Sequence, residues 1–271
     1  MSFHLYIEDM NSPLLELIFL SEKRKDLLLF LKEGPKNIEE IKTYLDASAV
    51  AVLPQIKKLR DNSLVFKTED TYILSPLGIA VTERMQAVTS LLNVFETHYE
   101  FWASHAIECL PASLRSRIGD LENCTFSEPP DWTRLFEPHR EFVEKLTISR
   151  KINGISSIFF PLYPSLFLSF AKNGAEVSLL VTPPVYERIK GEYRTDLREF
   201  LSLDNTCFYV CNEKIEFSHV VTDKFLSLSL PFSNGIYDHT RDVLCFEPLA
   251  RKWGEDLFAY YRDRSEKITD I

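Results

Sequence analysis

The sequence predicts an α+β winged helix-turn-helix at the N-terminus, a long connecting helix, and a C-terminal α/β domain of sensor-like layout. Three observations carry this reading. Between Ser12 and Leu77, short amphipathic helical segments run into an alternating hairpin. From Pro76 to about Trp102, apolar residues recur every three or four positions. After His139, buried-strand and helix patterns alternate with short connections, which is the mark of parallel βαβ units. The expected boundaries are 1–78, 79–118 and 119–271.

In the first region, Ser21 precedes a polar turn (Glu22 to Asp26) and then Leu27, Leu28, Phe30 and Leu31 at helical spacing, and Gly34-Pro35 ends the helix. Asn37 is the expected N-cap of a second helix, with Glu40 three residues on as its capping-box partner and Ile38, Ile41 and Leu45 on the buried side. Asp46-Ala47-Ser48 forms a short turn into a third helix, 48–61, on which Val50, Leu53, Ile56 and Leu59 are expected to face the core. Two helices joined by so short a turn form a helix-turn-helix. Leu64 to Lys67 and Thr71 to Leu74, either side of Thr68-Glu69-Asp70, read as the wing, 64–74.

Ser75 as cap and Pro76 in the first turn open the connecting helix. Its stripe of Ile79, Val81, Met85, Val88, Leu91, Leu92, Phe95, Tyr99 and Trp102 predicts a rod of about 40 Å. Such a rod exceeds what one small domain covers, so part of the stripe is expected to meet the C-terminal domain or a second subunit, and a homodimer is expected. Further on, 140–152 reads as a helix, 155–160 as a strand, 163–172 as a helix closed by Asn173-Gly174, and 177–182 as a strand. Then 185–201 reads as a helix, 206–210, 215–221, 225–230 and 243–246 as strands, and 249–264 as a closing helix.

With 45% apolar and 26% charged residues the composition is that of an ordinary globular chain. No basic segment leads into an apolar run at the N-terminus, and no run of ~18–20 apolar residues occurs, so a cytoplasmic protein without a membrane partner is expected. Five cysteines, odd in number and unclustered, predict free thiols. The net charge of −9 opposes phosphate binding as a whole-chain property. Residues 1–85 hold 11 Lys and Arg against 13 Asp and Glu. Local clusters counter this: Lys57, Lys58, Arg60 and Lys67 near the third helix and wing, and Lys23, Arg24 and Lys25 earlier. The expected affinity for duplex DNA is modest and salt-sensitive.

The chain resembles the archaeal two-domain transcriptional regulators whose type member controls methanogenesis, with an ArsR-like winged helix. The resemblance rests on Leu53-Pro54-Gln55-Ile56-Lys57-Lys58-Leu59, on Tyr72 to Gly78 leaving the wing, and on Leu110-Pro111 before Arg117-Ile118-Gly119. It continues in Lys172 to Val177 and in Ala250-Arg251-Lys252-Trp253-Gly254-Glu255-Asp256-Leu257-Phe258. It implies a DNA-binding regulator whose C-terminal domain takes a small effector. The βαβ run is also similar, at the level of fold only, to phospholipase D-like sensor domains.

The expected DNA contacts are Ser48, Ala49, Val52, Gln55 and Lys58 on the third helix, with Lys67 and Thr71 on the wing. Gln55 suits an adenine edge and Lys58 a phosphate or guanine. Pro54 is tolerated near the helix start. The alternative is a protein-interaction module in which these residues are solvated. Catalysis is not expected: a phospholipase D site needs His-x-Lys, and none of the six histidines has Lys two positions on. Nor is there a phosphate loop, a nucleophile elbow, a metal-ligand set or a motif for any cofactor. At the carboxyl ends of the α/β strands, where open sheets bind ligands, Tyr186, Arg188, His219, Tyr237, Asp238 and Arg241 are the candidates for holding an anionic or aromatic effector.

Overall fold

The computed structural model describes residues 12–127 and 140–271, in two compact units, one up to Thr89 and one from Ser90 onward.

In the first unit, α1 (Pro13–Phe19) and α2 (Glu22–Leu31) precede β1 (Lys36–Asn37), α3 (Ile38–Tyr44) and α4 (Ala49–Asp61). The hairpin β2 (Val65–Thr68) and β3 (Thr71–Leu74) follows, and β1 pairs with the other edge of β3. Asn37 caps α3 as expected: its Oδ1 accepts the Glu39 and Glu40 N–H groups at 2.9 and 3.0 Å, and Glu40 Oε2 accepts the Asn37 N–H at 2.7 Å. Asp46 takes the left-handed turn (φ 43°) into α4, a conformation its short polar side chain tolerates. Leu27, Leu28, Ile41, Val52, Ile56, Leu59 and Leu64 form the core.

The phase of α4 differs from the expectation. Val52, Ile56 and Leu59 are buried, whereas Val50 is 84% and Leu53 45% exposed. The expected stripe of Val50, Leu53, Ile56 and Leu59 advances only in steps of three. At about 100° per residue, each such step slips about 60°, so over nine residues Val50 ends about 180° from Leu59. Steps of four and three, Val52 to Ile56 to Leu59, hold one face. Val52 is thus a core residue and not a DNA contact.

Helix α5 (Pro76–Thr97) starts as the sequence suggests: Ser75 Oγ accepts the Gly78 N–H at 2.9 Å and donates to the Ser63 carbonyl at 2.5 Å. Gly78 is obligatory, since a Cβ there would stand 2.0 Å from the Leu64 carbonyl oxygen. The helix is shorter than expected. It stops at Thr97, His98 leaves helical geometry, and α6 (Tyr99–Ser104) is separate. Twenty-two residues make about 33 Å. No helix among the described residues is long and apolar enough to cross a membrane.

The second unit continues with α7 (Ala112–Arg115), β4 (Thr125–Phe126), α8 (Arg140–Thr147), β5 (Lys151–Ser156), α9 (Tyr163–Lys172) and β6 (Glu176–Val181). Then come α10 (Pro183–Glu192), α11 (Arg194–Leu201), β7 (Thr206–Val210), β8 (Ser218–Thr222), β9 (Leu226–Ser229), β10 (Val243–Cys245), α12 (Pro248–Arg262) and β11 (Glu266–Ile268). Eight strands form one mixed sheet in the order β11-β7-β6-β5-β8-β9-β10-β4, with β5, β6 and β7 parallel. Side chains alternate across it. Ile152, Val177, Phe208 and Val220 pack with α8 to α11 on one face, and Ile155, Leu180, Tyr209 and Val221 pack with α12 on the other.

Several bounds differ from the expected ones. The expected helix 140–152 ends at Thr147 and β5 begins at Lys151, because Asp223 Oδ1 accepts the Arg150 N–H at 2.9 Å and fixes the turn there. The expected strand 155–160 stops at Ser156, leaving Phe159 and Phe160 in the loop to α9. The helix expected over 185–201 is broken at Tyr193. Cys124 and Cys245 are joined across β4 and β10 as a disulfide, which corrects the expectation of five free thiols; Cys109, Cys207 and Cys211 are free.

Candidate functional site

On the first unit, the outer face of α4 carries exposed Ser48, Val50, Leu53, Lys57, Lys58 and Arg60, and the wing carries exposed Phe66 and Lys67. Of the expected contacts, Ser48, Lys58 and Lys67 are exposed, and Ala49 and Thr71 are half-buried, Thr71 donating to the Thr68 carbonyl at 3.2 Å. Gln55 is committed elsewhere. Its Oε1 accepts Arg24 Nη1 at 2.8 Å, and Arg24 also donates to the Leu17 carbonyl. Arg24 is only 9% exposed, and a buried guanidinium is costly unless its donors are met. Gln55 is therefore a structural acceptor, and the basic cluster around residue 24 retains only Lys23 and Lys25 toward solvent. Val50 and Leu53, expected in the core, are the apolar groups at the centre of the face. Only the i, i+4, i+7 series of Val52, Ile56 and Leu59 signals this in the sequence.

On the second unit, a cavity of about 110 Å³ lies on the sheet face covered by α8 to α11, at the carboxyl ends of β5 and β6. Aromatic side chains of α8, the β5–α9 loop, α9, α11 and β7 wall it: Phe142, Phe159, Tyr163, Phe167, Phe200 and Phe208. Strand register brings Ser156, Ser218 and Ser229 side by side across β5, β8 and β9. Tyr237, His239 and Asp242 come from the segment between β9 and β10, and Ser229 Oγ donates to Asp242. Burial, and then the Asp242 carboxylate, raise the Tyr163 and Tyr237 hydroxyls well above the usual tyrosine range, so both stay protonated. The Tyr237 hydroxyl stands close enough to Ser218 and Ser229 to ease that shift, yet no well-formed hydrogen bond reaches Ser218 Oγ.

The six expected ligand residues divide. Tyr237 lines the cavity with its side chain. Asp238 borders it but is engaged: its Oδ2 meets His105 Nε2 at 3.1 Å, and its Oδ1 accepts the Thr240 N–H at 2.7 Å and the Thr240 hydroxyl at 2.5 Å. Burial raises the Asp238 pKa, but these bonds outweigh it and the net shift is downward. His219 borders the cavity only from the sheet. It pairs with Ile155 and Leu228, so its ring points to the opposite face, where its Nε2 would lie 3.0 Å from a Cβ on Gly254 of α12. Burial pushes its pKa down to about 3 against a smaller opposing effect of the Gly254 backbone, leaving a neutral ring whose two nitrogens make no well-formed hydrogen bond among the described residues. Tyr186, Arg188 and Arg241 stand outside the cavity lining; Arg188 is spread over the Phe159 ring at 4.3 Å and ion-paired to Glu192. The serine row is not legible in the sequence, because each serine is an isolated strand-end residue and only the register unites them. Among the described residues, no group of three His, Cys, Asp or Glu is placed to hold a metal.

The residues that carry the family resemblance in the second unit are structural. Arg117 bridges Asp120 and Asp256 at 2.8 Å each, and Trp253 Nε1 donates to the Leu114 carbonyl at 2.9 Å. Gly254 lets α12 lie on the sheet, where a Cβ would stand 2.7 Å from Leu226.

Comparison with known proteins gives a consistent picture. Residues 13–94 match the family model of the N-terminal domain of the methanogenesis regulatory protein FilR1, and residues 135–264 match that of its middle domain. The FilR1 of Methanothrix harundinacea (strain 6Ac) is 25% identical over 258 residues, covering 92% of this chain. The chain spans 57% of the length of that curated relative. Among solved structures, TrmBL2, described as an archaeal chromatin protein with a novel mode of DNA binding, aligns at TM-score 0.43 and 13% identity, covering 94% of this chain and 98% of its own. A phospholipase D family member, Nuc from Salmonella typhimurium, aligns at TM-score 0.40 and 9% identity, covering 55% of this chain and all of its own. At such scores neither structure bears on fold or function. With its two domains matched in order, the chain belongs to the family of the methanogenesis regulatory protein FilR1.

Proposed function

We propose that the protein is a non-enzymatic, cytoplasmic transcriptional regulator that binds duplex DNA as a homodimer and whose α/β unit senses a small molecule. The observation that carries this reading is the outer face of α4. Val50 and Leu53 stand exposed at the front of a helix flanked by Lys57, Lys58 and the wing residue Lys67. In a major groove, the two apolar side chains would meet thymine methyl groups while the lysines meet phosphates. The family name of the relative, a regulatory protein, supports the same role.

Dimerisation is supported by α5. Leu77, Val88 and Leu92 are about half exposed and, at about 100° per residue, fall on one side of the helix. A two-fold pair would set two reading helices about one DNA turn, roughly 34 Å, apart. The effector role is supported by the cavity, where a ligand favouring one arrangement of the dimer would shift DNA affinity.

Fluorescence anisotropy with the chain's own upstream DNA against a scrambled duplex tests the reading. The expected result is preference for the upstream DNA, reduced by about 0.8 kcal/mol for each thymine methyl group left uncovered in Val50→Ser or Leu53→Ser. Exposed Val50 and Leu53 also suit a protein partner. In that case neither duplex binds, and the DNA reading fails.

A further inference from the structure

The chemistry of the α/β cavity defines a ligand class more narrowly than the sensor role requires. Its volume of about 110 Å³ is of the order of the ~150 Å³ apolar cavity that takes one benzene-sized molecule. Gly154 presents no side chain on the cavity face of β5, where a Cβ would already touch Leu179 at 3.2 Å. The walls are phenyl and phenol rings, which favour offset or edge-on packing of another ring.

The polar end is equally defined. Ser156, Ser218 and Ser229 lie in one cross-strand row. Ser218 Oγ is buried and without a hydrogen-bond partner among the described residues, a state that folded proteins avoid unless water or a ligand completes it. Asp196, Asp238, His239 and Asp242 are among the residues that border the same space, with Asp238 held by His105 and Thr240 and Asp242 accepting from Ser229. Arg188 and Arg241, on which recognition of an anion would depend, stand outside. A carboxylate or phosphate entering there would find neither arginine to pair with.

We propose that this cavity binds a single-ring aromatic molecule bearing a neutral hydroxyl or amino group, its ring between the phenyl walls and its polar group on the serine row. The proposal rests on the sensor reading only for its biological purpose; binding itself is measured without DNA.

Titration calorimetry on the full chain with 4-methylphenol, toluene and benzoate tests it. The expected order is 4-methylphenol, then toluene about fivefold weaker, then benzoate at least about tenfold weaker than 4-methylphenol. Gly154→Val fills the space and should lower 4-methylphenol affinity at least about tenfold. Ser218→Ala, which leaves the cavity open, should remove the advantage of 4-methylphenol over toluene. Absence of heat with 4-methylphenol, or benzoate binding as tightly, overturns the proposal. So does a folded Gly154→Val protein with undiminished affinity. If Gly154→Val does not fold, an unchanged 4-methylphenol advantage in Ser218→Ala overturns it alone. If 4-methylphenol binds in the stated order while DNA affinity stays constant, the ligand proposal stands and the sensor reading falls.

Discussion

The two units use their polar residues in opposite ways. In the winged-helix unit nearly every charge is at the surface, the buried guanidinium of Arg24 is satisfied by Leu17 and Gln55, and among the described residues Thr82 alone buries an unpartnered side-chain polar atom. In the α/β unit polar groups are buried along with the hydrophobic layers: His219 with two unpartnered nitrogens among the described residues, Ser218, and the His105–Asp238 pair. The first arrangement yields a closed core whose outer surface is free to act on a large partner. The second leaves Ser218 without a partner on the cavity face and His219 without one on the opposite face, among the described residues. On the proposed reading, the first unit acts through its surface and the second through its interior.

That contrast is open to direct challenge. The largest expected effect is Trp253→Ala, which removes a fully buried indole and its bond to the Leu114 carbonyl; a loss of about 3–5 kcal/mol is expected in denaturant unfolding of the second unit. In α4, Leu59→Ala should cost about 2–5 kcal/mol while Leu53→Ala stays within about 0.5 kcal/mol. Equal costs at the two positions would break the assignment of the outer face.

His219 provides a pH signature. Its folded pKa is about 3, below the ~6.5 of an unfolded histidine, so protons bind the unfolded chain preferentially in that window. Its contribution is fully present above about pH 6.5 and is lost as pH falls toward 3, at about 1 kcal/mol per pH unit. Replacement by Leu should flatten that slope in pH-dependent melting; an unchanged slope removes the assignment. A smaller effect, about 1–3 kcal/mol of stability, is expected for Gln55→Ala, which strands the Arg24 guanidinium. Should Gln55→Ala instead leave stability intact and relax DNA preference, Gln55 reads bases after all.

Legibility follows the range of the interactions. The Asn37–Glu40 box, the wing hairpin and the Ser75-Pro76 helix start are set by residues within a few positions of one another, and sequence and structure agree on each. The phase of α4 escapes a reading that follows steps of three alone. Asn153-Gly154 resembles a turn, yet it lies inside β5, where a Cβ on Gly154 would press on the Leu179 side chain of β6 at 3.2 Å. The cavity is legible only as a location. Its serine row is created by pairing β5 with β8 and β8 with β9, contacts that span more than 60 residues in the first case. His219, read from the sequence only as lying near a strand end, shares its parity with Ile215, Phe217 and Val221, and these are buried with α12 on the face away from the cavity.

The central claim, that the outer face of α4 with its flanking lysines and the wing grips duplex DNA, is tested most directly by salt dependence. Affinity for the upstream duplex would be measured against salt concentration for the unaltered chain and for the Lys57→Ala, Lys58→Ala, Lys67→Ala triple variant. The account predicts that log K falls linearly with log salt, and that the slope shrinks by about one for each lysine that contacts a phosphate. Duplex binding with an identical slope in the triple variant, or no duplex binding at low salt by the unaltered chain, would contradict it.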